Sequence, residues 1–151
     1  MQQDLAAFQA TGGRVSLTYN LAQRLEAHRQ VGHTDAGLAA LTDALGLVDK
    51  TGERLWEAEL YRLQGELRLA RTTEHHMEAE TAFQQARAVA RHQQAKSLEL
   101  RAAVSLARLW QQQGKHAAAR QVLGDIYHWF TEGFDTVDLQ EAKALLGELK
   151  G

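Results

Sequence analysis

The residues best suited to chemistry lie in a short stretch rich in histidine and glutamate near the middle of the chain. His75, His76, Glu78 and Glu80 carry side chains of the kind that bind divalent metals such as zinc. On a helix only side chains at i,i+3 or i,i+4 spacing face together, and His76 and Glu80 meet this requirement. Two ligands fall short of the set that a zinc site takes. The pattern therefore favours a solvated helix start, and we expect no metal site.

A second group of ionisable residues, Glu132, Asp135, Asp138 and Glu141, surrounds the start of the last predicted helix. Paired carboxylates can act in acid–base catalysis, but capping and the helix dipole explain acidic residues at a helix N-terminus more simply. The chain has no cysteine, no Gly-x-Ser-x-Gly nucleophile motif and no Gly-x-x-x-x-Gly-Lys-Ser/Thr phosphate loop. We therefore predict a protein that is not an enzyme and that needs no cofactor.

Composition and charge restrict the class of protein further. The 151 residues are 44% hydrophobic and 24% charged, as in one ordinary globular domain. A formal net charge of -2 argues against a general nucleic-acid binder. No stretch is apolar over the length of a membrane span, and the N-terminus lacks the features of a signal peptide. We expect cytoplasmic residence and a protein or peptide partner, rather than nucleic acid or a membrane.

Apolar residues recur at helical spacing along the whole chain, which contains no proline. Leu38, Leu41, Leu45 and Val48, for example, mark the buried face of one helix. No segment shows the sustained alternation of a strand, so we predict an all-α fold. A short N-terminal helix is predicted at about residues 2–10.

A unit of about 40 residues recurs three times. Leu21, Leu63 and Ala103 occupy equivalent positions, at steps of 42 and 40 residues. A fixed period of this size predicts a single domain, residues 1–151, in which stacked helix pairs bury one another. The three units and a C-terminal capping helix are predicted at residues 15–50, 53–93, 95–133 and 136–150.

The third unit resembles a tetratricopeptide repeat. The residues at that family's spacing are Ala103, Leu106, Ala107, Trp110, Gly114, Ala119, Leu123 and Ile126. The resemblance implies a right-handed superhelix of helix pairs, in which small residues let the two helices of a pair approach closely. In the first two units Leu25 and Leu67 stand where the family has a small residue, and the period exceeds the family's roughly 34 residues.

A second resemblance covers residues 55–149. The runs 56–67, 97–110 and 129–146 are similar to the C-terminal helical-repeat region of bacterial multidomain ATPases. In those proteins the repeats follow an adenylate-cyclase-like or DNA-binding domain and a P-loop ATPase module. This resemblance implies a regulatory or sensing role in bacterial signalling.

In tetratricopeptide-like stacks the first helix of each pair lines the concave surface. Side chains there that do not face the core should lie two residues before, and five and eight residues after, the equivalent positions. This predicts a peptide-binding groove lined by Tyr19, Arg29, Tyr61, Arg68, Arg71, Arg101 and Arg108, with Glu26 and Gln111. Guanidinium groups bind carboxylates bidentately and tyrosine adds rigid contact area. We therefore predict capture of an acidic or C-terminal peptide segment.

Two other interpretations stay open on the sequence. The domain could be a structural module that forms a homodimer through Trp110, Trp129 and Phe130. It could also be a sensor that binds a small anionic ligand in the same groove.

Overall fold

A computed structural model describes residues 17–52, 54–71 and 76–150 of the chain. Over these residues it contains seven α-helices and no strand, so the all-α prediction is confirmed for them. The helices are α1 Leu17–Gln30, α2 Thr34–Thr51, α3 Glu57–Arg71, α4 His76–His92, α5 Lys96–Gln112, α6 His116–Tyr127 and α7 Val137–Leu149. The short helix predicted at residues 2–10 lies outside the described residues. None of the described helices has the length and apolar character needed to span a membrane.

The helix ends follow local sequence signals. Gly52 takes φ of 74° and its N–H donates to the carbonyl oxygen of Val48, which ends α2 in a left-handed turn. Gly114 takes φ of 79° directly after α5. At the start of α7, Thr136 Oγ1 accepts a hydrogen bond of 3.4 Å from the N–H of Leu139 and so caps the helix.

The helices alternate between two layers. α1, α3, α5 and α7 pack against one another in that order, while α2, α4 and α6 each pack against the helices before and after them in sequence. α5 lies inside the first layer, and it buries residues 98–100, 102–107 and Leu109. The layer formed by α1, α3, α5 and α7 is the one that carries the groove described below.

Two hydrophobic clusters hold the layers together. The larger joins α4, α5, α6 and α7 around Phe83, Leu106 and Leu123, which are all fully buried. The smaller joins α1, α2 and α3 around Leu25 and Leu63. In the larger cluster the last helix contributes four residues: Leu139, Ala142, Leu145 and Leu149.

The closest approach of α3 and α4 occurs at Gly65. A Cβ placed on Gly65 would lie 2.3 Å from Cε1 of Phe83, so the ring packs directly on the backbone of α3. Leu67 lies on another side, because its Cδ2 is 3.0 Å from where a Cβ on Gly37 of α2 would be. The small residue that the second unit lacked in our alignment is therefore Gly65, two positions before Leu67.

Candidate binding groove

A groove of about 310 Å³ runs across α1, α3, α5 and α7. This volume is at the lower end of the range for ligand pockets in proteins. Its lining contains four guanidinium groups and four carboxylates. They belong to Arg29, Arg62, Arg101, Arg108, Glu26, Glu59, Asp138 and Glu141. The formal charges of this lining cancel.

The structure brings together four of the seven residues that we predicted for the groove. Tyr19, Arg29, Arg101 and Arg108 all line it. The other three, Tyr61, Arg68 and Arg71, do not belong to its lining.

The two arginines outside the groove are engaged elsewhere. Arg68 lies in a separate shallow depression between α3 and α4, where its Nη1 donates to Glu78 Oε2 at 3.0 Å. Arg71 Nε lies 3.6 Å from Asp35 Oδ1 of α2. The predicted strip of arginines from successive units is therefore interrupted at α3, where Glu59 and Arg62 line the groove instead.

The difference at α3 is one of register. Glu59 lies 40 residues after Tyr19 and 42 before Arg101, and these three side chains share the groove. The groove-facing positions of the first layer are thus related by steps of 40 and then 42, whereas the alignment used 42 and then 40. An error of two residues turns a helical position by about 200°, so the predicted α3 residues lie on the far side of the helix.

The floor of the groove is a buried ion pair within α3. Arg62 donates from Nε to Glu59 Oε1 at 2.8 Å and from Nη2 to Glu59 Oε2 at 2.9 Å. The side chains of Arg62 and Glu59 are only 16% and 7% exposed. Arg62 Nη1 also donates to Ser105 Oγ at 3.3 Å, which connects the pair to α5.

The two charges of this pair stabilise each other. Burial alone raises the pKa of Glu59, but the hydrogen bond and charge of Arg62, together with Arg101, outweigh it and hold this pKa below its ordinary value. Burial lowers the pKa of Arg62, yet the hydrogen bond and charge of Glu59 leave it raised. Both groups are therefore ionised at neutral pH.

Arg101 connects three helices at one end of the groove. Its Nη1 donates to Glu59 Oε2 of α3 at 3.0 Å and its Nε donates to Asp138 Oδ2 of α7 at 2.9 Å. Its guanidinium carbon lies 5.9 Å from the ring centroid of Trp56, within cation–π range. Trp56 in turn meets Tyr19 edge to face at 5.0 Å between centroids. This end of the groove therefore has an aromatic wall.

The other end of the groove contains one tight pair and one loose pair. Arg29 Nε donates to Glu26 Oε2 at 2.9 Å, and this hydrogen bond, opposed by burial, lowers the pKa of Glu26. Arg108 Nη2 lies 3.6 Å from Glu141 Oε2, which exceeds hydrogen-bond distance. The two side chains are 52% and 48% exposed. Among the described residues, Arg108 is the groove arginine without a hydrogen-bonded carboxylate.

The aromatic residues proposed for self-association do not share one environment. Trp110 packs against the larger core cluster, and its Nε1 donates to Glu80 Oε1 at 2.7 Å. Phe130 also packs against that cluster. Trp129 is 56% exposed and meets the ring of Phe130 edge to face at 5.1 Å.

The histidine-rich stretch gives no metal-binding arrangement in the part of the chain that the structure describes, where no three His, Asp or Glu side chains come together suitably. His76 Nδ1 lies 3.3 Å from Gln113 Nε2. Glu80, its i,i+4 neighbour, is bonded to Trp110. His75 lies outside the described residues.

The residues that sequence analysis missed in the groove are Glu59 and Arg62. A signal for them existed, because Glu59, Arg62 and Glu66 follow one another at i,i+3 and i,i+4 spacing in a helix whose neighbouring positions are apolar. Asp138 and Glu141 were noticed only as helix-start residues. Comparison of the chain with protein-family models, with curated proteins and with solved structures found no match.

Proposed function

We propose that the chain is a non-enzymatic interaction module whose groove binds a peptide segment of a partner protein. The observation that carries this proposal is the convergence of polar and aromatic side chains from α1, α3, α5 and α7 on one groove. Within it Arg108 is half exposed and holds its carboxylate neighbour only loosely, at 3.6 Å. A guanidinium in this state can form the charge-assisted hydrogen bonds that fix a ligand carboxylate.

The groove divides the work between its floor and its rim. The Glu59–Arg62 pair and Arg101 spend their hydrogen bonds on one another and on Asp138, so they fix the positions of α3, α5 and α7. Arg108 at the rim is the anchor for a carboxylate of the bound segment. Tyr19, which is 38% exposed beside Trp56, supplies rigid apolar contact area.

The proposal includes a tetratricopeptide-like right-handed superhelix of the helix pairs. The alternation of two helix layers, and the position of the groove on the layer formed by the first helix of each pair, support it. The similarity of residues 55–149 to the repeat regions of bacterial signalling ATPases supports a regulatory role. A cysteine-free chain is also compatible with the cytoplasm, where those proteins act.

The test is a selection from a random linear peptide library on the immobilised protein, followed by fluorescence anisotropy of the selected peptides. Arg108→Ala should weaken binding about tenfold or more, the size expected for a lost charge-assisted hydrogen bond. Arg68→Ala is the matched control, because it removes an exposed arginine outside the groove. A selection that yields no binding peptide, or equal losses in the two variants, would contradict the proposal.

A second candidate function is self-association through an aromatic patch formed by Trp129, Phe134 and Val137. These side chains are 56%, 44% and 67% exposed around the connection from α6 to α7. Sedimentation equilibrium of the chain and of Trp129→Ser tests this candidate. We expect a concentration-dependent dimer that Trp129→Ser abolishes and that Val31→Ser, at an exposed site between α1 and α2, leaves intact.

A further inference from the structure

We infer that the segment bound in the groove is of mixed charge, with basic side chains next to its acidic ones, rather than uniformly acidic. This inference rests on the proposed function and specifies the chemistry of its ligand. Its starting point is that the four guanidinium groups of the lining are matched by four carboxylates. The groove therefore presents both signs of charge to whatever enters it.

The charges form rows along the helices. α7 presents two carboxylates one turn apart, Asp138 and Glu141, and α5 presents two guanidinium groups two turns apart, Arg101 and Arg108. The rows face each other, since Arg101 contacts Asp138 at 2.9 Å and Arg108 lies 3.6 Å from Glu141. A segment that crosses these helices meets a negative row beside a positive one.

A uniformly acidic segment finds few binding partners in this arrangement. The guanidinium fork of Arg29 is already occupied by Glu26, and that of Arg101 by Glu59 and Asp138. Only Arg108 remains for a ligand carboxylate, and there the negative charge of Glu141 stands beside it. Like charges at such a distance repel, so each additional acidic residue of the ligand meets repulsion as well as attraction.

A mixed-charge segment uses both members of the loose pair. Its carboxylate binds Arg108, and a neighbouring ammonium or guanidinium group binds Glu141, which is 48% exposed and has Arg108 as its ion-pair partner among the described residues. One long contact is thereby exchanged for two ion pairs with hydrogen-bond geometry. Glu141 is the residue that sets the preference for a cation in the ligand.

The experiment begins with the pool of peptides selected on the wild-type chain. We expect both acidic and basic residues to be enriched over the starting library. One selected peptide is then synthesised in three forms of equal length: as selected, with its basic residues changed to glutamate, and with its acidic residues changed to lysine. Anisotropy measures each form against the wild type, Glu141→Gln and the control Asp43→Asn, which removes an exposed carboxylate of α2 outside the groove.

We expect the mixed form to bind most tightly. Glu141→Gln should weaken this form about fivefold, the size of a half-exposed ion pair, and should strengthen the all-glutamate form. Asp43→Asn should change neither. Tighter binding of the all-glutamate or all-lysine form to the wild type would overturn the inference while leaving a peptide-binding groove in place. Equal effects of Glu141→Gln and Asp43→Asn would also overturn it, whereas an empty selection would remove the proposed function itself.

Discussion

The contact between Gly65 and Phe83 allows a sharp test of how α3 and α4 pack. Substitution of alanine for Gly65 places a Cβ 2.3, 2.6 and 2.8 Å from three ring atoms of Phe83. The ring is fully buried, so it has no free space into which it can move. We therefore expect Gly65→Ala to destabilise the protein although alanine is the better helix former.

Two opposing effects set the size of the change. Alanine in place of glycine inside a helix gains about 1 kcal/mol, while forcing a methyl group into a close-packed core costs about 1–3 kcal/mol and occasionally more. Because all three distances lie well inside van der Waals contact, the cost belongs at or above the upper end. The net expectation is a loss of about 2 kcal/mol, or a fall of about 4–8 °C in Tm for a chain of this size.

Gly46 provides a matched control for the same substitution. It lies in the interior of α2, and a Cβ at this position would have nothing within 4 Å. Gly46→Ala should therefore show the helix-propensity gain alone, about 1 kcal/mol. Urea denaturation followed by circular dichroism measures both variants, and the midpoints should move in opposite directions. If Gly65→Ala is as stabilising as Gly46→Ala, the packing of Phe83 on α3 and the register derived from it are wrong.

Three further outcomes test the groove floor and the core. Arg62→Met leaves buried Glu59 without its main partner and should cost about 3 kcal/mol in urea denaturation, and a loss below about 1 kcal/mol, as for a surface pair, would contradict the buried network. The lowered pKa values of Glu59 and Glu26 contribute stability above the ordinary value of 4.5 that is lost as pH falls through the folded values, so Tm should decline in acid, and less steeply in Glu59→Gln. Ala119→Leu overpacks a fully buried site and should cost about 1–3 kcal/mol, so an unchanged Tm would show that this site can expand.

The helices themselves could be predicted from the sequence because their signals are local. Apolar spacing places the buried face of α2, and the glycines at 52 and 114 end α2 and α5 through left-handed turns that other residues rarely adopt. Thr136 marks the start of α7 in the same way. These features depend on neighbouring residues, so no knowledge of the packing is needed to find them.

The register of α3 could not be predicted in this way, because it depends on contacts between helices. Leucines at 60, 63 and 67 and the glycine at 65 are all buried, so α3 has apolar residues on several sides and its amphipathic pattern does not select one face. Aligning Leu63 with Leu21 and Ala103 therefore satisfied the pattern while placing the wrong residues in the groove. Only the seat of Phe83 on Gly65 fixes the rotation of the helix.

The charge of the groove illustrates a second limit, and a rule that follows from it. Arginines on a concave surface suggested a positive strip, but partly buried guanidinium groups need nearby carboxylates to offset desolvation. Two of those carboxylates lie three residues earlier on the same helix, in the pairs Glu26–Arg29 and Glu59–Arg62, and are readable from the sequence. A third, Asp138, comes from 37 residues away, so only the fold reveals it. Arg108 differs from the other three because its carboxylate neighbour is distant and exposed, and for that reason we expect ligand binding to depend on it.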